Sequence, residues 1–287
     1  MEALVVWSKR QVSIPELQEM KDRGEKVSML TAYDYPTARL LDMSGVDVLL
    51  VGDSLGMVVL GYDSTVYVTL EEMIHHTKAV ARGTQRALVI GDLPFGSYNE
   101  GPAQAIRSAT RLIKESGCAA VKLEGGLEMA PTVRAITEVG IPVVGHVGLL
   151  PQTATKVGGF KVQAKSAEDA LALVESGRAL EKAGAFMVVL EAVPARVGVL
   201  LSQSLAVPVI GIGAGAGCDG QVLVTPDMLG FQSALSPRYL KRYARLAETV
   251  EDAVRSYVSE VKSGAFPAEE HSYRMDPEEE ARLKGAN

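Results

Sequence analysis

Short runs of near-continuous hydrophobicity, rich in Val, Ile and Leu, alternate along this chain with longer amphipathic stretches. The apolar runs occupy residues 27–34, 46–53, 87–92, 119–124, 141–146, 186–191, 208–214 and 221–225. Unbroken apolarity, as opposed to strict alternation, marks parallel strands covered on both faces. Helix punctuation fills most of the gaps. Thr69-Leu70-Glu71-Glu72 is a capping box ahead of a helix that Gly83 closes. Ser166-Ala167-Glu168-Asp169 opens another that ends at Gly184, with Gly177 weakening its middle. Residues 101–117 and 127–140 bracket two more, and Ser236-Pro237 starts a long helix toward Gly264. A helix beginning at Ser13-Ile14-Pro15-Glu16 precedes the first strand and is placed to cover the bottom of a barrel.

Eight strands with interleaved helices predict a (β/α)8 barrel in preference to a doubly wound sheet. The expected organisation is one barrel domain over residues 1–287, with an extra N-terminal helix and a polar C-terminal tail from about residue 263. The seventh helix must be degenerate, because only a turn fits between Ala214 and Gln221. Two connections are long, 54–68 and 147–165, and loops of that length serve as lids or binding loops.

Composition narrows the class. Of the 287 residues 47% are hydrophobic and 22% charged, enough apolar mass for a full core. The net charge of −6 argues against nucleic acid as a partner, since phosphate binding needs a basic face. Cys118 and Cys218 cannot make a disulfide framework, which fits a reducing cytoplasm. The first residues, Met1 to Trp7, lack the basic start of a signal peptide. The longest uncharged stretch, Val197 to Cys218, is broken by Ser202-Gln203-Ser204 and Pro208, so no membrane span is expected.

The chemistry gathers at the C-terminal ends of the strands. Asp53, Asp92, Glu124 and Glu191 end the second, third, fourth and sixth, Lys122 stands two residues before Glu124, and His146 ends the fifth. One such carboxylate is usually a turn or helix cap. Four of them with a lysine and a histidine converge on one mouth in a barrel, where active sites of this fold lie. Residues two apart on a strand share a face, so Lys122 and Glu124 point the same way. Asp53 is expected to top an inward column of Leu49 and Val51, and Asp92 one of Leu88 and Ile90. Carboxylates sharing one buried space repel unless a cation neutralises them. Oxygen ligands without a Cys/His cluster select a hard ion, magnesium first and manganese next. Lys122 suits a substrate carboxylate, and His146 fits a functional and a structural role equally. The glycine-rich Gly211 to Ala216 lacks the helix that a dinucleotide site requires. His75, His76 and His271 read as surface or packing residues.

The same residues carry a family likeness. Leu30 to Tyr35, Val51 to Met57, Gly91 to Phe95, Val121 to Gly126 and Gly145 to Leu149 with Pro151-Gln152 resemble successive motifs of the ketopantoate hydroxymethyltransferases. Gly158 to Gln163, Leu190 to Pro194, Gly211 to Gly215 with Asp219-Gly220-Gln221, and Glu269 to Ser272 continue the resemblance in unbroken order. It implies a barrel of the phosphoenolpyruvate mutase/isocitrate lyase superfamily type, magnesium dependence and a large cytoplasmic homo-oligomer, commonly a decamer. The implied reaction moves a hydroxymethyl group from 5,10-methylenetetrahydrofolate to 3-methyl-2-oxobutanoate through a metal-stabilised enolate, giving 2-dehydropantoate for pantothenate and coenzyme A synthesis. By motif, Asp53 and Asp92 are metal ligands with Glu124 a third carboxylate at the metal. Ser54 and Lys122 contact substrate, and Glu191 accepts the proton. Together the two readings place Asp53, Ser54, Asp92, Lys122 and His146 at the substrate.

Three rivals remain. One is another magnesium-dependent 2-oxo acid C–C lyase or mutase of the same superfamily. A Schiff-base aldolase using Lys122 would need a neutral amine beside several acids. A catalytically dead barrel serving as a binding or assembly subunit would lack turnover.

Overall fold

The computed structural model describes residues 11–231 and 237–284. Eight parallel strands close in sequence order into a barrel: β1 (Val27–Thr31), β2 (Val48–Val51), β3 (Leu88–Asp92), β4 (Ala120–Glu124), β5 (Val143–Gly148), β6 (Met187–Glu191), β7 (Val209–Ile212) and β8 (Gly220–Leu223). The helices are α1 (Ile14–Asp22), α2 (Tyr35–Met43), α3 (Leu55–Val58), α4 (Leu70–Gly83), α5 (Pro102–Ser116) and α6 (Ala130–Glu138). They continue with α7 (Ala167–Lys182), α8 (Ala195–Ser204), α9 (Thr225–Met228), α10 (Leu246–Ser263) and α11 (Pro277–Lys284).

Local signals set most boundaries. Thr69 and Glu72 make the expected capping box on α4, and Ser166 caps α7 through the Asp169 N–H at 3.0 Å. The first and last strands stop short of the apolar runs that announce them. Asp34 leaves the sheet to cap α2, accepting from Thr37 N–H at 2.8 Å, and Thr225 already belongs to α9. As expected, a turn alone joins β7 to β8. The long C-terminal helix starts at Leu246 and not beside Pro237, while Ser236 and the first ten residues lie outside the described residues. Tertiary hydrogen bonds explain the late start: Tyr243 N–H and Leu246 N–H donate to Met228 and Leu229 carbonyls at 2.8 and 2.9 Å. Gly177 in α7 answers a packing need, since a Cβ there would lie 2.7 Å from Leu201 Cδ1 of α8.

Two apolar layers result. One lies between sheet and helices and includes Leu49, Val51, Leu112, Leu123 and Leu180. The other fills the barrel with Val48, Leu50, Leu88, Ile90, Met187 and Ile210, and reaches Leu17 and Met20 of α1. The N-terminal helix therefore closes the bottom of the barrel. Lys21 anchors it, donating to the carbonyls of Ser202, Leu205 and Val207 and to Asp219 at 2.8–3.0 Å. Leu17 is completely buried. Leu17→Ala is expected to lower unfolding free energy by about 2–5 kcal/mol in urea titration. A loss below about 1 kcal/mol would show that α1 only rests on the barrel.

Both long connections fold onto the mouth. The first holds α3 and a 3₁₀ turn, Thr65–Tyr67, with Leu55, Thr65 and Val68 buried. The second holds a 3₁₀ segment, Pro151–Val157, with Gln152 and Ala154 buried. No helix among the described residues is long and apolar enough to cross a membrane.

Candidate active site

Four strands deliver ionisable groups straight to the mouth. In β3, Leu88 and Ile90 face the interior and Asp92 ends their column; β4 does the same with Ala120, Lys122 and Glu124. Val144 precedes His146 in β5, and Met187 and Val189 precede Glu191 in β6. All five ionisable side chains are buried. Strand register makes neighbours of Asp92 and Lys122, and of Glu124 and His146.

Strand β2 departs from expectation. Its interior residues are Val48 and Leu50, whereas Leu49 and Val51 pack on the helix side. Pairing sets that face, with Val48 opposite both Met29 and Leu88. Asp53 still arrives at the mouth, because the chain leaves the sheet at Gly52 and turns into α3. A Cβ at position 52 would lie 2.9 Å from Ser54 Oγ and 3.4 Å from Asp92 Oδ2, so the turn calls for glycine.

The side chains form one buried network. Asp53 N–H donates to Asp92 Oδ2 at 3.1 Å, and Gln152 Nε2 donates to Asp53 Oδ2 at 2.8 Å. Lys122 Nζ stands 3.1 Å from Asp92 Oδ1 and 3.3 Å from His146 Nδ1. His146 spans two acids, with Nδ1 3.5 Å from Glu124 Oε1 and Nε2 3.2 Å from Glu191 Oε2. Ser54 lies at the β1 side, its Oγ 2.8 Å from Tyr33 OH. The structure thus brings together Asp53, Ser54, Asp92, Lys122, Glu124, His146 and Glu191. Elsewhere, His76 Nδ1 meets Tyr33 O at 2.7 Å and exposed His271 caps Ala268, so neither histidine joins the network.

Charge balance defines what the site can hold. Burial opposes the Lys122 ammonium, but Asp92, Glu124 and Asp53 outweigh it and hold this lysine well above its ordinary value. Burial and Lys122 likewise oppose protonation of His146, yet the adjoining Glu124 and Glu191 carboxylates raise it to about 9. Burial, Asp92 and Glu124 push Asp53 well above the ordinary carboxylate range. Asp92 is also raised, by burial, whereas the His146 contact overcomes burial and lowers Glu124. Full ionisation of Asp53 and Asp92 is thus disfavoured in this buried space even with Lys122 beside them.

A divalent cation would favour the ionised form of these carboxylates. Among the described residues, no three His, Cys, Asp or Glu groups are already drawn together as a finished cage. Fit is indicated by the oxygens themselves: Asp92 Oδ1 and Glu124 Oε1 are buried without a hydrogen-bond donor, although cationic groups stand nearby. Buried carboxylate oxygens that lean on a cation without accepting a hydrogen bond retain lone pairs for a metal ion. The donor set is all oxygen, as a hard cation requires.

Gln152 and Tyr98 belong to the network without having been singled out from the sequence. Tyr98 OH donates to Gln152 Oε1 at 2.5 Å, and Gln152 N–H donates to Glu124 Oε2 at 3.0 Å. Both sit on loops, where no strand periodicity points to them. Only the place of Gln152 beside Pro151 in one of the family-like motifs offered a signal.

A carboxylate-rich mouth on strands two to six of a parallel barrel defines a class of barrel enzyme with a cation-suited centre. Solved structures share the fold. A phosphoenolpyruvate phosphomutase from Streptomyces platensis superposes with a TM-score of 0.58, at 17% identity over 96% of both chains. A 2,3-dimethylmalate lyase, described as a member of the PEP mutase/isocitrate lyase superfamily, gives 0.57 at 18% identity over 97% and 96%. The chain itself belongs to the ketopantoate hydroxymethyltransferase family, whose model matches residues 11–269. A 3-methyl-2-oxobutanoate hydroxymethyltransferase of Heliobacterium modesticaldum is 54% identical, covering 94% of this chain and 98% of its own. One of Chloroflexus aurantiacus is 53% identical over 96% and 97%.

Proposed function

We propose that this enzyme moves a one-carbon unit from 5,10-methylenetetrahydrofolate to C3 of 3-methyl-2-oxobutanoate, forming 2-dehydropantoate and tetrahydrofolate. The C3 proton leaves, the methylene carbon takes its place and water supplies the hydroxyl oxygen. The carrying observation is the buried network of Asp53, Asp92, Glu124 and Lys122 on one rim of the mouth, with Glu191 on another. Asp53, Asp92 and Glu124 would hold magnesium, with manganese as a substitute. When bound, the ion supplies Lewis acidity to the 2-oxo acid. Lys122, kept cationic by its acid neighbours, receives the substrate carboxylate, and Ser54 lies within the same rim. That cationic state also disfavours a Schiff base at Lys122. Glu191 takes the C3 proton as general base. His146, held toward its protonated form by Glu124 and Glu191, positions Glu191 and is the less suited base.

Turnover of the oxo acid with the folate, lost on chelation and restored by magnesium, is the direct test. Cleavage of a C–C or C–P bond in a 2-oxo acid without folate would favour the superfamily lyase or mutase reading. No turnover with intact oxo-acid binding would indicate a dead barrel.

Ion binding should be linked to protons. Metal ligation needs ionised carboxylates, and Asp53 resists ionisation in the ion-free protein. Magnesium is therefore expected to bind more tightly as pH rises and to displace protons. Calorimetry in buffers of different ionisation enthalpy reads that release; a pH-independent, proton-neutral binding would contradict the assignment of Asp53.

We also propose a homo-oligomer, a decamer by family resemblance, in the cytoplasm; two buried free thiols suit that compartment. Helix α10 supports assembly. None of its 18 residues is buried, yet Val250, Val254, Tyr257, Val258 and Val261 lie at the spacing of a single apolar face. A second copy of this chain is the occupant we assign to it. Val254→Glu should lower the sedimentation coefficient toward that of a smaller species; unchanged sedimentation would place the interface elsewhere.

A further inference from the structure

Gln152 is the one side chain of the long β5 connection that reaches the carboxylate network, and both ends of its amide and its backbone N–H are used. Its Nε2 donates to Asp53 Oδ2 at 2.8 Å and to Leu93 O at 3.0 Å. Oε1 accepts from Tyr98 OH at 2.5 Å, and the backbone N–H donates to Glu124 Oε2 at 3.0 Å. Its amide cannot be turned over without loss, because Oε1 would then confront the Leu93 carbonyl, an acceptor only. Tyr98 OH closes the circuit by accepting from Glu124 N–H at 3.2 Å. Gln152 and Tyr98 are both buried.

We propose that Gln152, oriented by Tyr98, is a positioning residue for the divalent ion. It occupies Oδ2 of Asp53 and Oε2 of Glu124, and so hands coordination to the other oxygen of each carboxylate. On Glu124 that other oxygen, Oε1, is buried and accepts no hydrogen bond, with His146 Nδ1 3.5 Å away. The two acids come from elements on either side of β3 and raise each other's cost of ionisation. A neutral residue donating to both holds them near one another without adding a charge that would compete with the ion. This places the β5 connection, and not the strands alone, in control of metal affinity.

The inference rests on the assignment of Asp53 and Glu124 as ion ligands, and the experiment separates the two. Magnesium affinity is measured by calorimetry without substrate, and manganese binding by electron paramagnetic resonance, on wild type, Gln152→Met, Tyr98→Phe and the double variant. Gln152→Met keeps length and backbone N–H but removes the bonds to Asp53 and Tyr98. It should weaken the ion by about 10- to 100-fold, the usual cost of losing an outer-shell partner. Tyr98→Phe should weaken it less and broaden the manganese signal. Because the two residues share one circuit, the double variant should fall near Gln152→Met and not at the product of the two effects. Wild-type affinity in Gln152→Met, even with a lowered melting temperature, overturns the inference and leaves a packing role. Should Gln152→Met not fold, wild-type affinity in Tyr98→Phe would do the same. Failure of the wild type to bind either ion would instead sink the ligand assignment beneath it.

Discussion

Glu191→Gln is expected to retain magnesium and 3-methyl-2-oxobutanoate affinity while losing exchange of the C3 hydrogen with deuterated water. Exchange isolates proton abstraction, because it needs neither folate nor carbon–carbon bond formation. The expected loss is roughly 10²- to 10⁴-fold, the range for removing a general base. Geometry motivates the assignment. Glu191 ends the β6 column on the far side of His146 from Glu124, and its Oε2 touches only the imidazole Nε2 at 3.2 Å among the network groups. It is thus the one carboxylate of the four that has no contact with Lys122, Gln152 or another acid. Gln is nearly isosteric, so binding should survive. Near-normal exchange in Glu191→Gln together with its loss in His146→Gln would transfer the role to the histidine.

Asp53→Asn should produce two effects of opposite sign. Burial and two neighbouring carboxylates disfavour the charged form of Asp53 in the ion-free protein. Asparagine removes that charge, and its carbonyl oxygen can still accept from Gln152 Nε2. At neutral pH the ion-free variant is therefore expected to melt above the ion-free wild type, with the gap widening as pH rises. Magnesium affinity should fall by about 10²-fold or more, since near 4 Å a unit charge is worth about 4 kcal/mol even at an effective dielectric constant of about 20. Added magnesium should then stabilise the wild type and not the variant. Asp92→Asn should lose the ion as well, but it leaves buried Lys122 without its nearest counter-charge, so its ion-free form should be less stable. A lowered melting temperature and unchanged magnesium affinity in Asp53→Asn would make this acid a structural cap.

Much of this was legible in the chain because it is local. Continuous apolar runs marked all eight strands, and Ser166, Thr69 and Glu72 marked helix starts, since caps and periodicities involve residues a few positions apart. The acids, lysine and histidine that build the mouth were visible at strand ends, and on β3, β4 and β6 their facing followed from period two alone. On β2 the same rule gave the wrong face, because the strand had already ended at Val51 and the alternation does not extend through the turn at Gly52. The start of α10 went wrong for a related reason. Hydrogen bonds from residues 243 and 246 to the end of α9 decide it, and no local pattern reports them.

By itself the sequence determined the strand set, the kinds of ionisable group at the mouth and their order along the chain. Tertiary structure alone decided which groups touch. Barrel closure and register put Lys122 beside Asp92 and His146 between Glu124 and Glu191, and so made one buried network out of scattered residues. It also drew Gln152 and Tyr98 from two loops into that network. Contacts between residues as far apart as Asp53 and Gln152 depend on where strands pair and loops fold back, and those are properties of the closed barrel, which no short window of sequence contains.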